Sequence, residues 1–142
     1  MEISEVRKRL LLVIDQSRRG ASARQARAEA AATAYERFLT TVAVPVFQMF
    51  GNALRAEGHS FTVFTPKSGL RLASARSGED YIELALDTAA DEPIVMARIS
   101  RARGHRVVSR ERPVRGLTPP EALTQEDVLD MLLNEIGPFV ER

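Results

Sequence analysis

Seven arginines crowd one stretch of this chain: Arg98, Arg101, Arg103, Arg106, Arg110, Arg112 and Arg115, opposed locally only by Glu111. A guanidinium is a planar fork of donors that matches phosphate and carboxylate alike. Six of the seven, Arg98 to Arg112, therefore form a candidate anion-binding face, and a basic ribbon could follow a nucleic-acid backbone. The competing reading is internal compensation. Asp80, Glu83 and Asp87 belong to the neighbouring strand, and residues 119–142 carry six acidic groups against one basic. Tyr81 is the only aromatic near the block, whereas single-strand binders stack bases on several. Arginine is also common throughout the chain, which lowers its value as a signal.

Other reactive types are sparse. There is no cysteine, which excludes thiolate ligands, thiol nucleophiles and disulfides. His59 and His105 each follow a glycine and lack the clustered partners of a zinc site. Glu126, Asp127 and Asp130 crowd a helix start, where capping and solvent account for them. Ser100 and Ser109 lie in no nucleophile motif, and no phosphate-binding loop or dinucleotide fingerprint occurs. No catalytic, cofactor-binding or metal-ligating residue is nominated, and the chain reads as a non-enzyme.

The elements that must carry these groups follow from pattern. The 142 residues, 44% hydrophobic and 27% charged with net charge +1, suit one folded domain. The expected class is α+β: residues 1–58 helical, 59–115 an antiparallel β-meander of four to five strands, and 119–142 a C-terminal helix on one sheet face. In the first part Ile3, Val6, Leu10, Val13 and Ile14 recur at helical spacing. A stop is expected at Gly20, with Ser22 and Gln25 capping a second, long helix. That helix carries the stripe Tyr35, Phe38, Leu39, Val42, Val46, Phe50 and Leu54, kinks at Pro45 and ends near Gly58.

Strands are expected near 60–66, 70–76, 80–88, 94–101 and 105–112. If the 88–93 loop closes with Asp87 facing Ile94, Ile82, Leu84 and Leu86 share a face with Ile99, Ala97 and Val95, and Glu83 lies across from Arg98. A three-residue turn at 77–79 sets Leu72 opposite Leu84 and Leu70 opposite Leu86. The last strand fixes no register and is taken as an edge. Thr124 with Asp127 opens the final helix, whose apolar set is interrupted by Glu135.

The N-terminal helices offer more apolar stripe than one five-stranded sheet can cover, and uncovered stripes mark association surfaces. The function expected is a homo-oligomeric binding or scaffold module, a dimer formed through Ile3, Val6, Leu10, Val13, Tyr35 and Phe38. The alternative is anion or nucleic-acid binding through the arginines. A third reading is an apolar-ligand carrier or small enzyme in the gap between helix and sheet, around Phe47 and Phe50. No targeting segment or membrane span is read, which points to the cytoplasm.

Overall fold

The computed structural model describes residues 1–67, 69–89 and 92–141. The fold is α+β, with a long N-terminal helix, a five-stranded antiparallel sheet and a C-terminal helix that contacts it. Helix α1 runs unbroken over Ile3–Phe38. The stop expected at Gly20 does not occur, and neither does the second helix start at Ser22. A helical glycine costs only about 1 kcal/mol relative to alanine. The alanine, arginine and glutamate that follow are strong helix formers and carry the helix across it.

A π-helical turn, Leu39–Ala43, joins α1 to α2, Val44–Ala56. This is the form taken by the kink expected at Pro45. Proline cannot donate to the carbonyl of Thr41, and widening the turn upstream removes the clash. The Thr40 and Thr41 hydroxyls donate to the carbonyls of Glu36 and Arg37 at 3.0 and 2.7 Å, which further favours bending. At the far end the His59 amide donates to Leu54 O at 2.8 Å while Gly58 takes φ +89°, so the helix stops where glycine permits a left-handed residue.

The strands are β1 Phe61–Phe64, β2 Leu70–Ser74, β3 Tyr81–Asp87, β4 Ile94–Arg103 and β5 Arg106–Pro113, hydrogen-bonded in chain order. The β3–β4 register is the expected one: Asp87↔Ile94, Leu86↔Val95, Leu84↔Ala97, Glu83↔Arg98, Ile82↔Ile99. The β2–β3 register differs by two residues, with Leu70↔Leu84 and Leu72↔Ile82. The connection is longer than three residues because Ser74 N bonds Asp80 O and Asp80 N bonds Ser77 O, closing a wide turn. A shift of two preserves the face, so the apolar set survives. β5 is an edge strand with Arg98↔Glu111 and Ile99↔Arg110.

One core lies between the sheet and the helices above it. Leu70, Leu72, Ile82, Leu84, Val95 and Ala97 from the sheet meet Phe47 of α2 and Val128, Met131 and Leu132 of α3, all essentially sealed from solvent. Helix α3, Gln125–Ile136, opens with a complete capping box: Asp127 N donates to Thr124 Oγ1 at 3.2 Å, and Thr124 N to Asp127 Oδ2 at 2.9 Å. Among the described residues no helix is long and apolar enough to cross a membrane.

Candidate functional site

The arginine block resolves first, because most of it is engaged within the chain. Arg110 and Arg112 both grip the Glu135 carboxylate, Arg112 at 3.1 Å. Arg115 holds Asp127 at 3.0 Å, and Arg98 lies 3.8 Å from Glu111 on the adjacent strand. Glu135 and Asp127 are buried, and each is met by guanidinium from the strand or loop beside α3. The interruption of an apolar helical set at Glu135 was thus the sequence signal for a buried ion cluster. The expected partners on β3 are used otherwise. Glu83 sits across from Arg98 but pairs with Arg71, both oxygens at 3.2 Å, while Arg71 also lies 4.0 Å over the Tyr81 ring. Asp80 and Asp87 accept the amides of Ala102 and Ala89. Arg101, Arg103 and Arg106 have no carboxylate partner among the described residues.

Asp127 titrates below the ordinary carboxylate range. Burial alone raises it, but the Thr124 amide and hydroxyl and the Arg115 guanidinium together outweigh that cost. The Tyr35 hydroxyl is pushed far up, by burial first and by the negative Glu83 second.

The helix stripe presents the opposite situation. No side chain before Tyr35 is buried. Ile3 is 87% exposed, and Leu10, Leu11, Leu12 and Val13 are all more than half exposed. Residues 10–14 form an apolar turn and a half on every side of α1, with nothing from this chain against most of it. Tyr35 and Phe38, expected at the interface, are at 4% and 2% exposure in the chain's own core, with stacked rings 6.3 Å apart. They belong to the root of α1 and not to its free surface. The stripe starts as surface and becomes core where the helix reaches the sheet.

A helix of 36 residues spans about 54 Å. Residues 3–27, about 38 Å of it, hold no buried side chain. That arm is supported locally by Glu5–Arg9 at 3.2 Å, Asp15–Arg19 at 3.1 Å and a Gln25–Glu29 hydrogen bond. Such pairs contribute only about 0.2–0.5 kcal/mol each.

Phe47, expected beside a cavity between helix and sheet, is fully buried, and Phe50 packs against the core. His59 precedes β1 and His105 precedes β5, the two edge strands of the sheet. No group of three or more metal-ligating side chains occurs among the described residues. Comparison with known families, curated proteins and solved structures gives no match.

Proposed function

We propose that this protein is a non-enzymatic scaffold module that assembles with a second copy of itself through the free arm of α1. The observation that carries this is the all-round apolar turn and a half at residues 10–14 on a helix arm that its own chain leaves bare. Uncovered apolar stripes on a protein surface mark association sites. Isolated helices in water are marginal, and most helical stability in proteins comes from packing one face on another element.

Charge complementarity favours a parallel pair. Ile3, Val6, Leu10 and Val13 take the alternating three- and four-residue spacing of a coiled-coil seam. In a parallel, in-register pair the flanking residues set Glu2 of one copy beside Arg7 of the other. The antiparallel overlap that aligns all four apolar layers instead sets Arg7 near Arg7 and Arg9 near Arg9. Flanking charges of this kind decide orientation.

Burying the exposed part of these four side chains on two copies releases roughly 10 kcal/mol gross. Association costs about 4–15 kcal/mol, so at the low end of that cost about 6 kcal/mol remains, an affinity of tens of micromolar, helped by Leu11 and Ile14. Sedimentation equilibrium from low to high micromolar concentration tests it. The dimer mass should appear in that range. A monomer throughout would overturn the proposal. The anion-binding alternative for the whole arginine block loses four of its seven arginines to carboxylates of the same chain.

A further inference from the structure

We propose that the end of the sheet opposite the β3–β4 loop holds a binding site for a small phosphate monoester. A cleft of about 430 Å³ opens where β1, β3 and β5 begin and β2 and β4 end. That volume lies within the usual range for small-molecule sites. Its lining includes His59, Ser60, Arg76, Ser77, Arg101 and Phe139.

The basic charge in this cleft is not balanced by ion pairs among the described residues. Arg76 and Arg101 have no carboxylate within ion-pair distance among the described residues. The one carboxylate in the lining, Asp80, is committed to the backbone, its Oδ1 accepting the Ala102 amide at 2.7 Å. Two guanidiniums therefore face one carboxylate that is already engaged. Five other arginines of the sheet and the loop after it, Arg71, Arg98, Arg110, Arg112 and Arg115, are paired with a carboxylate, whereas Arg103 and Arg106 near the β4–β5 turn, like this pair, are not among the described residues.

The remaining lining suits an oxyanion. Ser77 Oγ accepts the Glu79 amide at 3.3 Å and so has its own proton free to donate. Ser60 lines the same cavity, its carbonyl bonded by Ala75 N at 3.0 Å. These backbone bonds, with Ser100 Oγ donating to Glu79 O at 2.7 Å, hold the three converging segments before any ligand arrives. Preorganised donors bind without an ordering cost. The Arg101 guanidinium lies 5.9 Å from the Phe139 ring centroid, which restrains it and gives the cleft one apolar wall. Gly58 and Gly104 border the opening, and the space beyond each is clear to 4 Å, so the entrance is open.

Two arginine forks, two hydroxyls and a histidine select a compact dianion. The Phe139 wall adds preference for an ester over inorganic phosphate. Titration of the full chain with inorganic phosphate, then with phenyl phosphate, followed through backbone amide shifts, tests this. Saturable shifts are expected at Gly58, Ser60, Ser77 and Gly104, with phenyl phosphate the tighter ligand. Arg76→Ala and Arg101→Ala should each weaken binding about tenfold, as loss of one charge-assisted bond implies. Arg103→Ala, outside the cleft, should leave it unchanged. Neither arginine supports the fold through an ion pair, and thermal melts of both variants confirm folding. The proposal is overturned by shifts that do not saturate, by equal affinity for the two phosphates, or by Arg103→Ala matching the other two variants.

Discussion

Glu135 is the place to ask whether the arginine block is structural. Its side chain is 6% exposed, while Arg110 is 59% exposed and Arg112 30%. The two sides of the cluster are therefore unequal. In Glu135→Gln, both guanidiniums keep access to water, and Arg112 keeps its bonds to the carbonyls of Pro113 at 3.0 Å and Val114 at 3.2 Å. The loss is confined to charge-assisted bonding, about 1–3 kcal/mol. In the double variant Arg110→Ala with Arg112→Ala, the carboxylate stays in the core's edge with no cation. An uncompensated buried charge costs about 3–5 kcal/mol. Replacing all three residues with leucine removes the charges together and should recover most of that loss. Urea unfolding of the four proteins measures the order: wild type and triple variant highest, Glu135→Gln between, the double arginine variant lowest. If Glu135→Gln costs as much as the double variant, the carboxylate is not the dependent partner and the compensation argument fails.

Other outcomes follow from single contacts. Leu10→Asp with Val13→Asp should abolish self-association in sedimentation while leaving the melting temperature of the monomeric body within a degree or so, because neither residue touches the core. Gly51→Ala should stabilise by about 0.5–1 kcal/mol in urea unfolding, since its Cβ would meet Val63 and Leu72 at ordinary distances of 3.5 and 3.6 Å inside a helix. Gly69→Ala should destabilise by about 1–3 kcal/mol, because its Cβ would lie 2.9 Å from Leu84 O. Asp127, lowered from 3.8 in the folded chain, contributes stability that is fully present above that value and disappears as pH falls through its folded value. The stability gap between wild type and Asp127→Asn should accordingly shrink on acidification below about pH 4, as read by unfolding at a series of pH values.

What the sequence makes legible depends on the range of the force involved. Alternation along β3 and β4 decides a face, the closure of the loop at 88–93 picks the register, and both are as expected. The β2–β3 register escaped because it is set by backbone bonds of Ser74, Ser77 and Asp80 within the turn, which hydropathy does not encode. Gly20 does not stop the helix because its local propensity of about 1 kcal/mol is set against the alanine, arginine and glutamate around it. Tyr35 and Phe38 share the stripe of the free arm, and periodicity alone cannot say where along a helix the sheet begins. The cleft at the sheet end was the least legible feature. Its arginines are 25 residues apart in sequence, Arg76 in the β2–β3 turn and Arg101 on β4, and only the meander register brings them to one end of the sheet.

The two proposed surfaces can be told apart because they share no residue. The arm of α1 lines no part of the cleft, which is walled by residues 58–61, by Ser74, Arg76, Ser77 and Asp80, by Arg101, Ala102 and Gly104, and by residues 138–139. Loss of the arm's apolar residues should therefore leave phenyl phosphate affinity unchanged, and loss of Arg76 or Arg101 should leave sedimentation mass unchanged. A stronger test uses the ligand itself. If assembly and phosphate binding are independent, saturating phenyl phosphate shifts no dimer constant, since a ligand with equal affinity for both states moves no equilibrium. If it does shift the constant, linkage requires the reverse effect of equal size on phosphate affinity across the dimer transition. The arm then communicates with the sheet end through its root, where Tyr35 and Phe38 join the same core as Phe61 of β1, three residues from Gly58.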